Sequence, residues 1–519
     1  MKNAVGRDIP ESVLSNGREV FQGNNYRDGM EYAKNSPKVR AYVKPQESKI
    51  VASVKEAVQL CGVKDGMTVS FHHHFREGDY IANMVMKEIA DLGIKDITIA
   101  ASSMGQAHDP IAKLIEDGVV TGLQTSGIRG KMGEAVSNGK LKTPCILRSH
   151  GGRVRAIEMG EVKIDVAFVG APTADEYGNA RGTGGKSDCG GLSYSMVDAK
   201  HAGKVVVITD TLAPFPNFPP SIQAVDVDYV VVVDEIGDPK KIATRAARLS
   251  QDPRDLMMAE NCAKIMAATP YFKDGFSFQA GAGGPSLAVN RFLEPLMKER
   301  DIKIKWAIGG ISGPMVNLFE KGLIETIVDA QSFDTDAVNS LRANPNHYEI
   351  STSQYANPMN KGAFVNKLDF VVLAALEIDL GFNVNVVTGS DGVLMGAPGG
   401  HSDAASGAKC AIIITPLIRG RMPTVCEKVV TVSTPGESID VLVTDYGTAV
   451  NPRRQDLIDA LTSAGIKITT IEALKEKAYS IVGAPDELKF HDRIVAIMEA
   501  RDGTILDVVR QIKPFEFDN

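Results

Sequence analysis

Gly184-Gly185-Lys186-Ser187-Asp188 and Gly399-Gly400-His401-Ser402-Asp403 are one pentapeptide written twice with a single change. Each copy leads into Gly-Lys or Gly-Ala-Lys and then an apolar run, KVVVITDTL at 204–212 and CAIIITPLI at 410–418. Upstream, one constant offset of 204 pairs Gly105 with Gly309, Pro110 with Pro314, Leu114 with Leu318, Glu116 with Glu320 and Gly118 with Gly322. It also pairs Asp165 with Asp369, Asp175 with Asp379 and Asn179 with Asn383. An ordered series of this kind marks an internal repeat, and a repeat decides architecture. The expected fold class is α/β, with two similar open, largely parallel domains from an internal duplication. An N-terminal arm is expected over 1–45, a first domain over 46–255 and a second over 256–519, with the junction near Gln251-Asp252-Pro253-Arg254.

The runs between the repeats fit that class. TVSF at 68–71, DITIA at 96–100, DVAFVG at 165–170, KVVVITD at 204–210 and DYVVVVD at 228–234 are short, apolar on both faces and separated by helix-length segments. Such runs suit strands covered by helices on both sides of a parallel sheet. A first helix is expected at about 46–61. The 519 residues carry 57 Lys plus Arg against 64 Asp plus Glu, a net −7, which argues against a nucleic-acid surface or an anionic-membrane binder. No run approaches the ~18 apolar residues of a membrane span, and the first residues lack a signal-peptide core, so a cytoplasmic location is expected. The six cysteines form no CxxC pair and no Cys/His ligand spacing, so reduced thiols and no metal are expected.

Glycine is in excess, 49 residues, and it clusters. SFQAGAGGPSLAVNRFL at 277–293 is a strand, a turn at Gly281, Gly283 and Gly284, and a helix begun after Pro285, a pattern that brings backbone N–H groups to a ligand. DFVVLAALEIDLGFNVNVVTG at 369–389 is an apolar strand interrupted by Glu377, whose carboxylate is either an edge residue or held for chemistry. GAPGGHSD at 396–403 supplies another turn, where N–H groups at Gly399, Gly400 and His401 are candidates for an oxyanion hole.

Together SFQAGAGGPSLAV, ALEIDLGFNVN and GAPGGHSDAASGAK resemble the second half of coenzyme A transferases. That resemblance implies two α/β domains meeting at an active site, with Glu377 in the position that takes the acyl group and Gly281, Gly283 and Gly284 beside a pantetheine-type arm. GREVFQGNN at 17–25, VSFHHHFREGDYIANMVM at 69–86, the segment 149–191 containing APTADEYGNARG, and VTDYGTAVNPRRQDL at 443–457 extend it end to end to the α chains of citrate lyase. What this implies is exchange of acetyl for citryl on the thiol of an acyl carrier protein (γ) subunit, releasing acetate, with a separate β subunit then cleaving the citryl thioester. No cofactor is expected to be tightly bound to this chain; the thioester arm comes from the carrier or from a CoA thioester, and an oligomer is expected. An acetyl-CoA hydrolase or another carboxylate CoA-transferase on the same fold is the alternative.

Citrate needs several cationic or N–H donors. On a strand alternate residues share a face, so His72 and His74 are expected to meet the substrate while His73 turns away. Arg76, Arg181, Lys186 and His401 complete the expected substrate contacts, with Arg148, Arg153, Arg155, Arg419 and Arg421 as further cations. Two routes stay open: attack by Glu377 on the acetyl thioester, or direct attack by citrate through a mixed anhydride with Glu377 only orienting.

Overall fold

A computed structural model describes residues 1–15, 17–23, 46–242, 250–281 and 283–513. Strands of the first half are β1 Thr68–Phe71, β2 Ile97–Ala101, β3 Val120–Thr125, β4 Cys145–Leu147, β5 Val166–Gly170, β6 Lys204–Thr209 and β7 Tyr229–Val232. Those of the second are β8 Phe276–Ala280, β9 Ile304–Ile311, β10 Ile327–Ser332, β11 His347–Glu349, β12 Phe370–Leu373, β13 Cys410–Ile414 and β14 Val441–Val443. Seven strands of each sheet run β7-β6-β5-β1-β2-β3-β4 and β14-β13-β12-β8-β9-β10-β11, parallel throughout, so within these sets each strand has the neighbours of its counterpart seven numbers on; Thr448–Val450 adds an antiparallel edge beside β14.

The repeated carboxylates explain part of this identity. Asp165, before β5, accepts the N–H of Thr68 at 2.9 Å, and Asp369, before β12, accepts that of Ser277 at 2.8 Å. Asp228 and Asp440 do the same for Val205 and Ala411 at 2.8 and 2.7 Å. After the central strand, Asp175 and Asp379 each accept the N–H of the Asn four residues on, both at 3.0 Å. Those asparagines then accept Ala224 N–H at 3.0 Å and Gly436 N–H at 2.9 Å. A buried backbone donor must find a partner, and the same short side chains supply it in both copies. Alternation sorts the strand residues. Phe370, Val372, Ile412 and Ile414 enter one core while Val371, Leu373, Ala411 and Ile413 enter another, so both faces of the second sheet are covered.

Three expectations are corrected. The segment 256–519 does not stay on the second sheet: β15 Phe490–Glu499 pairs parallel with β4, Ala496 opposite Cys145, and β16 Ile505–Ile512 pairs antiparallel outside it. Nor are the described residues of 1–45 a free arm, because Ile9, Val13 and Val20 pack on Ile146, Ile497 and Ile505 and so close over that hairpin; residues 24–45 lie outside the described residues. The first helix is Val54–Leu60, begun by Ser53, whose hydroxyl accepts Glu56 N–H, while the β-branched pair Ile50-Val51 is spent on the edge of the first sheet beside Val230 and Val231. Among the described residues no helix is long and apolar enough to cross a membrane.

Candidate active site

The C-terminal ends of the two sheets face one another across a cavity of about 350 Å3, the position at which open α/β sheets hold ligands. From the first sheet the cavity receives His73 and Arg76 after β1, Ser103 after β2, Ser126 and Arg129 after β3, His150 after β4, and Tyr194 from the helix Ser193–His201. The second sheet supplies Gln279, Gly281 and Gly283 around the end of β8, Gly309 and Gly310 on β9, Gln331 and Phe333 at β10, and Ala374 after β12. Gly399, Gly400, His401 and Tyr355 close the wall. No Asp or Glu side chain lines it among the described residues.

Of the expected site residues, Arg76, Gly281, Gly283, Gly399, Gly400 and His401 are brought together here. Arg76 sits at φ 53°, an uncommon backbone for a residue with a side chain, and lays its guanidinium 4.4 Å from the Phe333 ring centre. Burial lowers its pKa to about 10, which still leaves it a cation at neutral pH. Gly281 donates its N–H to Val372 O at 2.7 Å. Gly399 donates to Ser126 O at 3.1 Å and His401 N–H to Pro398 O at 3.0 Å, so neither is free for an oxyanion. Of that expected trio only Gly400 N–H has no hydrogen bond among the described residues. The His401 ring is occupied as well, 2.7 Å from Thr434 Oγ1 and 3.0 Å from Ala374 O. It is a wall residue rather than a substrate donor, and burial lowers it to about pKa 4.

The histidines reverse the expectation. His72 is buried with Nε2 2.9 Å from Asp198 Oδ2, and His74 is buried with Nε2 2.9 Å from Gly170 O. His73 is the one in the cavity, because β1 ends at Phe71 and the chain then turns. Its ring stacks on His150 with centres 5.6 Å apart and lies 4.6 Å from Tyr194. Burial, then the neighbouring His150, Arg76, His74 and Arg129, hold its pKa well below the usual histidine value; burial and Arg153 lower His150 to about 3. Both rings are therefore neutral. Tyr194 Oη lies 3.2 Å from His150 Nε2 and donates to Gln331 Oε1 at 3.3 Å, so its lone pair receives His150 Nε2–H.

Glu377 does not line the cavity. The apolar run expected as one strand over 369–389 stops at Leu373; Glu377–Asp379 then forms a small hairpin with Val384-Asn385, turned by the Asp379–Asn383 hydrogen bond. There Glu377 Oε2 accepts Asn385 Nδ2–H at 2.8 Å and Val430 N–H at 2.9 Å, and burial raises its pKa. Gly284 opens the helix Gly284–Arg300 just outside the cavity wall. Arg181 donates to Phe218 O and Lys186 is exposed, both away from the cavity. Arg148, Arg153 and Arg155 are held by Glu499, Asp198 and Glu161. Arg419 donates to Ala375 O, and neither it nor Arg421 lines the cavity. His73, Arg129, His150, Tyr194, Gln279, Gln331 and Tyr355 escaped the sequence reading as site residues. His73, Gln279 and His150 lie inside the HHHFREGD, SFQAGAGG and SHGGRVR segments and so carried a signal that could have been followed.

The comparisons agree with this fold. The family model described as citrate lyase, alpha subunit, matches residues 47–512. The citrate lyase alpha chain of Klebsiella pneumoniae is 50% identical over 513 residues, covering 99% of both chains. A crystal structure from Streptococcus mutans, described as the alpha subunit of citrate lyase in complex with citrate, is 52% identical with a TM-score of 0.96, covering 99% of this chain and all of that one. At 19% identity and a TM-score of 0.53, a 4-hydroxybutyrate CoA-transferase from Porphyromonas gingivalis shares the fold over 83% of this chain and 98% of its own. With its doubled α/β scaffold and a cavity between the two sheet ends, the chain belongs to the citrate lyase alpha-subunit family.

Proposed function

We propose that this chain is the transferase of a citrate lyase, converting citrate and an acetyl thioester into a citryl thioester and acetate. The observation that carries the reading is a cavity furnished with Arg76, Arg129 and neutral imidazoles, and lined by no carboxylate among the described residues. Guanidinium groups bind carboxylates through paired hydrogen bonds, so two cations suit the two carboxylates of citrate that do not react. The third carboxylate is then the nucleophile. One of its oxygens attacks the acetyl carbonyl carbon, the thiolate leaves, and a citrate–acetate mixed anhydride remains. The thiolate next attacks the citryl carbonyl, and acetate departs. The first step makes a C–O bond and breaks a C–S bond and the second does the reverse, so over both steps one thioester and one carboxylate replace another of each, and the enzyme has mainly to orient, exclude water and stabilise oxyanions. The position of Glu377, bonded to Asn385 and Val430, supports this direct route over a glutamyl intermediate.

The glycine wall at Gly281 and Gly283 suits the thin end of a pantetheine-type arm, which arrives on an acyl carrier protein subunit or as a CoA thioester; this chain itself binds no cofactor tightly. A lyase subunit that cleaves the citryl thioester completes the proposed assembly. The test is acetate release from acetyl-carrier protein with and without citrate, with the citryl thioester identified by mass. Acetate release independent of citrate points instead to a thioester hydrolase.

A further inference from the structure

Each tetrahedral intermediate of the proposed transfer places a negative charge on a former carbonyl oxygen; Gly399 N–H, Gly281 N–H and His401 N–H are already spent on Ser126, Val372 and Pro398, which leaves Gly400 N–H as the one donor of the 399–401 turn without a hydrogen bond among the described residues and calls for a second donor. We propose that His73 is a catalytic residue, donating its Nε2–H to that oxyanion, and that Ser102 is the positioning residue that sets the ring to do so. This rests on the transferase reading above and adds a side-chain donor that stabilises its charge.

The tautomer follows from counting protons. Ser102 is fully buried. Its Oγ lies 2.9 Å from His73 N and 2.7 Å from His73 Nδ1. The backbone N–H can only donate, so Oγ accepts from it. Ser102 Oγ has no other hydrogen-bond partner among the described residues, so its own proton is satisfied only by donating to Nδ1. Nδ1 is thereby a lone-pair acceptor and the ring proton stands on Nε2. That nitrogen has no hydrogen bond among the described residues, and its ring lines the cavity. His150 and Tyr194, against which the ring packs, hold it in place, and burial, then His150, Arg76, His74 and Arg129 around it, oppose a second proton.

The step balances without moving that proton. The citrate oxygen forms its bond to the acetyl carbon, the carbonyl electron pair moves onto oxygen, and His73 Nε2–H bonds to it. The pair returns as the C–S bond breaks and sulfur leaves with its electrons. His73 ends neutral, as it began, and the same donor serves the citryl carbonyl in the second half. A neutral imidazole suits this work because it offers an N–H to the oxyanion without adding a positive charge beside Arg76 and Arg129.

The test uses the full chain with acetyl-carrier protein and citrate. Loss of one oxyanion donor costs about 100- to 1,000-fold in kcat, so His73→Phe is expected to lose about that while its KM for citrate stays within roughly threefold. His73→Gln, whose amide nitrogen falls near the Nε2 position, is expected to recover about tenfold of the loss, and Ser102→Ala to lose about tenfold. Independently of turnover, 15N-histidine spectra of the wild-type chain are expected to show the His73 proton on Nε2 alone from pH 6 to 8. A ring protonated on Nδ1, or a His73→Phe enzyme with normal kcat and only a raised KM, overturns the assignment. Wild-type enzyme that shows no citrate dependence overturns the transferase reading instead, whatever the ring spectrum. Citrate binding by calorimetry guards against a variant that has merely failed to fold: His73→Phe that binds citrate normally yet turns over at the wild-type rate also refutes the role.

Discussion

Replacing Asp198 by Asn tests whether one buried carboxylate holds the imidazole side of the cavity together. Asp198 is on the helix Ser193–His201, which also carries Tyr194. It accepts Arg153 Nη1 at 2.9 Å and Nη2 at 2.7 Å from the helix that begins with His150, and His72 Nε2 at 2.9 Å from the loop that continues into His73. Tyr194, His150 and His73 are thus carried on the same segments as Asp198 and its two partners, Arg153 and His72. Burial alone would raise the Asp198 pKa, but Arg153 and then His72 outweigh it and hold the carboxyl below the usual range. Asn is isosteric but offers an N–H2 where Arg153 or His72 needs an acceptor, and it leaves a nearly buried guanidinium without its counter-charge. Breaking one side of such a pair costs about 3–5 kcal/mol. A displacement of about 1 Å in His73 and His150 would lower turnover by about 100-fold. Urea unfolding at pH 7 and citrate-dependent acetate release measure the two effects. Because the folded pKa is depressed, the carboxylate's contribution is present above about pH 4 and disappears as pH falls through the acid range, so the deficit of Asp198→Asn should shrink there. A stability loss below about 1 kcal/mol with full activity would refute the reasoning, leaving ordinary packing as what positions the three rings.

Gly310→Ala would put a Cβ 1.9 Å from Cζ of Phe333, so the ring must move by about 1.5 Å to reach ordinary contact and Arg76 loses its platform. With a cation–π contact worth about 0.5–2 kcal/mol, the citrate KM is expected to rise about 2- to 30-fold; an unchanged KM removes Arg76 from citrate binding. Glu377→Gln should keep kcat within about threefold, since the direct route does not bond to it; a 100-fold loss in a folded variant restores the glutamyl route, and hydroxylamine trapping would then find the adduct. Glu349, accepting hydrogen bonds from Ser221 and Leu192 across the two halves, has its pKa raised by burial to about 7. A raised carboxyl stabilises the fold at low pH and loses that as pH rises through 7, by at most about 3 kcal/mol. Glu349→Gln should therefore gain Tm relative to the parent between pH 5 and pH 8, and a difference that does not change with pH contradicts the shift.

The duplication was legible because it is written in residues with a local duty. Asp165 and Asp369 cap the same strand pair, and Asp175–Asn179 and Asp379–Asn383 make the same turn, so each survives as a letter at a fixed offset. The return of β15 to β4 was not legible: FHDRIVAIME looks like a strand from its own residues, but nothing in a strand names a partner some 350 positions away. The histidines failed for a different reason. Period-two alternation assigns residues to the two faces of a sheet, and both faces here are buried under helices; the cavity lies off the strand ends, a direction the alternation does not describe. His72 and His74 therefore point into protein, and His73, after the last paired residue Phe71, reaches the substrate space.

The two copies of one fold do different work at that cavity, and they diverge just beyond the ends of the equivalent strands. After β1 stands His-His-His-Phe-Arg, and after β8 stands Gly-Ala-Gly-Gly. The first sheet ends contribute Arg76, Arg129, His73 and His150; the second contribute Gly281, Gly283, Gly309 and Gly310 with the amides of Gln279 and Gln331. A Cβ on Gly309 would stand 2.8 Å from the Gln279 amide carbon, so the amide wall requires the glycines beside it. Cations and neutral N–H donors suit a carboxylate substrate, and a glycine and amide wall suits a neutral thioester arm. Neither lining could serve both reactants: guanidinium groups along the arm would be left unpaired in the protein, and bare glycine would leave citrate without counter-charge. Facing one copy against the other lets the same scaffold hold both at once, which direct attack of one substrate on the other requires.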